Sequence, residues 1–242
     1  MRAAIITDIH ANVQALRAVI ADLDRTAPDE VWCLGDLVGY GADPDTCVEL
    51  VRARADACLA GNHDLAVVGE IPIADFSDLA LAAAEWTRAT IAPGTVSYLR
   101  SLSPRAERET IGLFHASPRD PVWEYVLSTA TASACFDVQQ PRIAVIGHSH
   151  VALSFHRSGG TAIGRPRVEG EVASIEDGQW MLNPGSVGQP RDGDPRAAWL
   201  ELDTDAQTAV FHRVDYDVAA AANAIRTAGL PELLAERLYL GH

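Results

Sequence analysis

Apolar runs and helical stripes alternate through the first half of the chain. Arg2–Thr7 reads as a buried strand, after which Val13, Leu16, Ile20 and Leu23 keep helical spacing. Val31–Leu34 predicts a second strand, followed by a helix over Asp45–Ala55 that Asp43-Pro44 can start. Ala57–Ala60 is a third short strand. Between Ser77 and Leu102 lies a helical stretch with Leu79, Ala83 and Trp86 on one face and a break at Pro93-Gly94. Thr110–His115 and Arg142–Ile146 are further strands, separated by a helix over Ser128–Phe136.

After residue 150 the pattern changes. Val151–His156 and Thr161–Val168 flank Ser158-Gly159-Gly160, a hairpin signal, and Val172–Ile175 and Gln179–Leu182 flank Asp177-Gly178, the strongest two-residue turn type. Ala197–Leu202 and Thr208–Val214 make another pair. The tail, Val218–Leu240, is helical with a break at Gly229-Leu230-Pro231. The chain thus passes from βαβα units to a β-meander and a closing helix. With no linker composition between the halves, 1–242 reads as one α/β (α+β) domain in which two sheets pack face to face.

Composition narrows the chemistry. All 19 basic residues are Arg, against 33 acidic ones, for a net charge of -14 over 242 residues. Without Lys there is no Schiff base and no P-loop lysine, so phosphate must be met by Arg, backbone N–H groups or metal ions. The acidic balance disfavours extended nucleic acid. No window is apolar enough for a membrane span, and MRAAIITD is no signal peptide. Cys33, Cys47, Cys58 and Cys135 lie far apart with no C-x-x-C spacing and read as free thiols in a reducing, cytoplasmic setting.

Five of the eight histidines fall at or just past strand ends, beside Asp or Asn. Asp8-Ile9-His10 closes the first strand, Gly35-Asp36 the second, and Gly61-Asn62-His63-Asp64 the third. His115 and Gly147-His148-Ser149-His150 close the next two. The carboxyl ends of parallel strands are where α/β sheets bind ligands, so these groups are expected on one rim. Extended residues at i and i+2 share a face, which pairs Asp8 with His10 and His148 with His150. The glycines before Asp36, Asn62 and His148 suit sharp exits from strands. Imidazole, carboxylate and amide without Cys describe a site for Mn, Fe, Ni, Zn or Co. Seven candidate ligands (Asp8, His10, Asp36, Asn62, His115, His148, His150) exceed the needs of one ion, and Asp36, central in the order, is the natural bridge between two.

This ordered set resembles the calcineurin-like metallophosphoesterases, in particular their small prokaryotic phosphodiesterase-like members, which carry similar Gly39-Tyr40-Gly41 and Asn183-Pro184-Gly185-Ser186 stretches. The resemblance implies a four-layer αββα sandwich, two mixed sheets flanked by helices, with two divalent ions, manganese first, between the sheets. It places Asp8, His10, Asp36 and His150 on one ion and Asp36, Asn62, His115 and His148 on the other, with His63 facing the scissile phosphate. Hydrolysis by a hydroxide bridging the ions, on a phosphodiester or phosphomonoester of a small substrate, is the implied reaction. The chain departs from the protein phosphatases and diadenosine-tetraphosphate hydrolases of the superfamily. Those continue Gly-Asp with an Asp-Arg-Gly stretch, where Gly35-Asp36-Leu37-Val38 stands here. A Ser/Thr protein phosphatase activity and a non-catalytic metal-binding scaffold are the alternatives.

Several residues keep two readings. Asp64 either orients His63 as a catalytic partner or caps the following turn. Arg191, in a charged loop, is either solvated or a contact to substrate phosphate, and Tyr40 either lines the pocket or packs its loop. Asn62 also stands beside the expected substrate. Trp32, Trp86, Trp123, Trp180 and Trp199 read as core or sheet-face residues. The 76–102 stretch can be a lid, a dimer surface or packing, and the sequence defines no oligomeric state.

Overall fold

A computed structural model describes residues 1–74 and 76–242. The chain runs β1 (Arg2–Ile6), α1 (Val13–Thr26), β2 (Glu30–Cys33), α2 (Pro44–Arg54), β3 (Ala57–Cys58), α3 (Asn62–Val67), α4 (Asp78–Thr90), α5 (Pro93–Arg100), β4 (Arg105–Arg108), β5 (Ile111–Phe114), α6 (Thr129–Val138) and β6 (Ile143–Val145). It continues with β7 (Ala152–Ser158), β8 (Thr161–Pro166), β9 (Val172–Ser174), β10 (Gln179–Pro184), β11 (Ala197–Asp203), β12 (Thr208–Val214), α7 (Val218–Thr227) and α8 (Glu232–Leu240). Two mixed six-stranded sheets result, in the orders β3-β2-β1-β11-β12-β9 and β4-β5-β6-β10-β7-β8.

Why the sheets stack follows from residue alternation. On β1, Ala3 and Ile5 join a core with Ile111, Ile143, Val145, Trp180 and Leu182 of the other sheet, while Ala4 and Ile6 join Leu16 and Val19 of α1. The second sheet does the same. Ile143 and Val145 face inward, and Ala144 and Ile146 face Ala132, Cys135 and Phe136 of α6. Strands buried on both faces need unbroken apolar runs, which is how these segments read in sequence. The outcome is an α/β sandwich with helices outside both sheets, as expected.

Two local readings need correction. Val172–Ile175 and Gln179–Leu182 are not a hairpin, because β9 pairs with β12 in the first sheet and β10 with β6 and β7 in the second. Buried Ile175 sits in the inter-sheet core, and Asp177-Gly178 turns the chain from one sheet to the other. The Gly159-Gly160 hairpin does form, with Ser158 opposite Thr161 and both glycines at positive φ. The third strand stops at Cys58, and the residues expected to trail from it enter the short helix α3. α2 does start at Asp43-Pro44, with Asp43 at the N-cap and Pro44 in the first turn, though Asp43 makes no side-chain cap bond.

Parallel pairing of β1, β2 and β3, and of β5, β6 and β10, brings six carboxyl ends to one edge of the sandwich. All four cysteines are free thiols, and no helix among the described residues is long and apolar enough to cross a membrane.

Candidate metal centre

Every one of the seven expected ligands is buried at this edge. Ligand atoms of Asp8, His10, Asp36 and His150 lie within 4.8 Å of one another, and those of Asp36, His115 and His148 form a second group. Asp36 belongs to both. Its Oδ1 accepts the backbone N–H of His63 at 2.9 Å, which turns Oδ2 toward His10 Nε2 at 3.5 Å and His115 Nε2 at 3.6 Å. One carboxylate oxygen therefore stands between one imidazole from each set. Asn62 Oδ1 lies 3.2 Å from His115 Nε2 and extends the second set.

Convergence does not come from extended residues sharing a face. β1 ends at Ile6 and β6 at Val145, and the ligands lie beyond them in left-handed backbone. Seven of the ten non-glycine residues with positive φ among the described residues are at this site: Asp8, His10, Ala11, Asp36, Tyr40, His148 and His150. Such conformations cost about 1–3 kcal/mol each and concentrate where function requires them. The glycines act mostly by close approach. A Cβ on Gly61 would stand 2.0 Å from Asp36 Oδ1, and one on Gly147 2.2 Å from Thr7 Oγ1 and 2.8 Å from Asp8 Oδ2, so both loops can press onto a carboxylate only as glycine.

The second coordination layer fixes the histidine tautomers. His10 Nδ1 bonds Val38 O at 3.0 Å, His150 Nδ1 bonds Gln189 O at 2.7 Å and His115 Nδ1 bonds Leu34 O at 2.9 Å. A carbonyl only accepts, so each Nδ1 carries the proton and each Nε2 presents a lone pair to the centre. His148 is reversed. Its Nε2 donates to Trp123 O at 3.2 Å and leaves Nδ1 for a ligand. His10 Nε2 and His150 Nε2 then face each other at 3.0 Å with no proton between them, an arrangement that calls for a cation. Burial, followed by repulsion from neighbouring histidines or Arg191, holds His10, His148 and His150 below the ordinary imidazole range; burial likewise depresses His115. Burial, then Asp64 and Asp8, pushes Asp36 well up. Neutral imidazoles around crowded carboxylates fit divalent ions, which relieve both strains at once.

The late motifs of the chain hold this cluster in place. Asn183 Nδ2 donates to Gly147 O at 2.8 Å and to Ser149 Oγ at 3.0 Å, and Ser186 Oγ donates to Asp8 O at 2.7 Å. Asp64 makes the contacts of a cap. Its oxygens accept from Leu37 N, Val38 N and Gly61 N, tying the Asp36 loop to the start of α3, with none directed at His63.

Beside the cluster a pocket of about 290 Å3 is lined by Tyr40, Asn62, His63 and Arg191, so the expected substrate-side residues do come together. Phe76, Trp123, Tyr125 and Arg237 line it too, with Ser77 and Ala80, and no motif in the sequence marks any of them for this role. Trp123 is not a core residue. Its side chain is 36% exposed, edge-on to Phe76 at 5.7 Å. Its neighbour-but-one Tyr125 stacks on the His148 ring at 4.1 Å. Trp32, Trp180 and Trp199 are buried as expected, and Trp86 packs partly buried against the α7–α8 side.

A two-sheet sandwich with two histidine–aspartate donor sets joined at one carboxylate defines the metallophosphoesterase class of sites. The calcineurin-like phosphoesterase superfamily domain model matches residues 1–205, and the chain belongs to that superfamily. It is similar to the crystal structure of a metallophosphoesterase from Sphaerobacter thermophilus, with 40% identity, a TM-score of 0.91, and coverage of 100% of this chain and 99% of that one. The uncharacterized protein MJ0912 of Methanocaldococcus jannaschii is 35% identical over 243 residues, 98% of this chain and 97% of the relative. Hypothetical protein PH1004 from Pyrococcus horikoshii OT3 shares the fold at 19% identity, with a TM-score of 0.79 and coverage of 100% and 98%.

Proposed function

We propose that the protein is a metal-dependent hydrolase that cleaves a phosphodiester of a small substrate, with manganese the ion expected to activate it best. The observation that carries this reading is Asp36 Oδ2 standing between His10 Nε2 and His115 Nε2, one from each donor set. Divalent ions held by the two sets would supply an acidified water as nucleophile and positive charge opposite the phosphoryl oxygens. The remaining work falls to this chain's own side chains. His63 lies between the Tyr40 and Phe76 rings, with centroids 4.5 and 4.7 Å away. Its Nδ1 is buried without a partner against Gly39, where a Cβ would stand 2.5 Å from it. A buried N–H without an acceptor is costlier than a bare lone pair, so the proton sits on Nε2. Burial keeps the ring neutral, and Nε2–H is the group that donates to the leaving oxygen. Arg191 binds a non-bridging oxygen. Its backbone N–H is fixed to His150 O at 3.0 Å and its Nη2 to Gln189 Oε1 at 2.8 Å, so the guanidinium is placed by the ligand loop itself.

The test is hydrolysis of bis-p-nitrophenyl phosphate against p-nitrophenyl phosphate by metal-stripped protein given Mn, Ni, Zn or Mg. Faster diester cleavage, abolished by stripping and restored by Mn, is expected. Tight binding of two ions without cleavage of either ester would replace this reading by a metal-binding scaffold.

A further inference from the structure

The pocket beyond the donor sets has a charged wall and an aromatic wall, and together they describe the rest of the substrate; this rests on the hydrolase reading above. Arg191 and Arg237 form the charged wall. Neither pairs with an Asp or Glu side chain among the described residues, and Arg237 Nε reaches only an oxygen of the last residue, His242. Both guanidiniums instead lie over the Tyr40 ring, with Cζ 5.6 and 6.0 Å from its centroid. An aromatic face orients a guanidinium without cancelling its charge, so both keep donors for an incoming anion. Their anchors differ. Arg191 is tied to the His150 loop, while Arg237 projects from α8, with Nε donating to His242 O at 2.6 Å. Arg191 is thus the inner cation, beside the donor sets, and Arg237 the outer one. Two neighbouring cations on one wall of the pocket, both over the Tyr40 ring, suit a ligand with more negative charge than one phosphoryl group bound to metal.

The aromatic wall is Phe76, Trp123 and Tyr125. Trp123 and Tyr125 are 36% and 48% exposed, yet their segment is fixed, since Trp123 O holds His148 Nε2 and Asp120 Oδ1 accepts Trp123 N. A rigidly mounted, exposed indole beside a polar site is a stacking surface for a planar ring. At about 290 Å3 the pocket takes one such unit, and the charge of -14 repels a long polyanion.

The geometry points to a nucleotide-like phosphodiester bearing a second phosphate: the scissile group at the donor sets, the planar ring on Trp123 and Phe76, and the second phosphate on Arg237. Arg237 is then the residue that sets specificity for that group.

Calorimetry on the Mn-loaded protein with thymidine 3′,5′-bisphosphate and thymidine 5′-monophosphate tests the binding half. The bisphosphate is expected to bind at least about tenfold tighter, a difference of ~1.4 kcal/mol. Arg237→Ala and the bulkier Arg237→Gln should both remove most of that preference. Arg226→Ala, which breaks an exposed surface pair with Glu232, should keep it. Equal affinities in the unaltered protein, or equal weakening of both ligands by the Arg237 variants, overturns the assignment. The p-nitrophenyl esters of thymidine 5′-phosphate, with and without a 3′-phosphate, separate the two readings. Cleavage of both at equal kcat/KM leaves the hydrolase standing and removes the subsite. Selective bisphosphate binding with neither ester cleaved leaves the subsite standing and removes the hydrolase.

Discussion

The donor cluster and the pocket beside it share His63 and Asn62 at their border but are built in opposite ways. In the cluster, ligands come in short motifs, are fully buried, and are held by strained backbone and carbonyl acceptors. In the pocket, single residues arrive from well-separated parts of the chain, at 40, 76, 123, 125, 191 and 237, and several remain half-exposed. Ion binding demands fixed geometry, which buried glycine-dependent loops supply. Recognition of a flexible organic group needs reachable surface, which loops and a terminal helix supply.

Substitutions on either side of this border should separate the two regions. The largest effect belongs to Asp36→Asn, which weakens the shared ligand of both sets. We expect hydrolysis to fall about 10⁴-fold or more, with fewer than two ions retained by elemental analysis. His63→Ala comes next, with kcat lower by about 10²–10⁴-fold and the ion count unchanged, because His63 lines the pocket and lies outside both donor sets. Retained activity in this variant would remove His63 from proton transfer. Gly61→Ala drives a methyl into Asp36 Oδ1 and should lower stability by about 1–3 kcal/mol in denaturant titration, together with ion affinity. Smallest is Trp123→Ala. Only its backbone carbonyl serves His148, so ion content should hold while KM for ring-bearing esters rises by about 0.5–1.5 kcal/mol in free-energy terms. An unchanged KM would show that the indole does not stack on substrate.

The same contrast explains what could be read from the sequence. Asp8, His10, Asp36, Asn62, His115, His148 and His150 stand out because polar groups appear in order where apolar strands stop. The strands themselves are legible because both faces are buried. β4, with the largely exposed Arg105-Ala106-Glu107-Arg108, carries no apolar face and leaves no pattern to read. Asp177-Gly178 has hairpin chemistry, but a turn sequence specifies local geometry and not which sheet receives the next strand. Left-handed backbone at the ligands leaves little mark in composition, since Asp and His tolerate it without glycine. Trp123 and Arg237 have no neighbours in sequence that hint at a site. Trp123 sits in the mixed stretch Val122-Trp123-Glu124-Tyr125 and Arg237 is one charge on a short helix, so only tertiary packing gives them a role.

The shared carboxylate is the centre of this account, and anomalous diffraction from crystals of the Mn-loaded protein tests it most directly. Two manganese peaks about 3.5–4 Å apart are predicted, both in contact with Asp36, one toward His10 and His150 and the other toward His115 and His148. A single peak, or two that do not share Asp36, would contradict it.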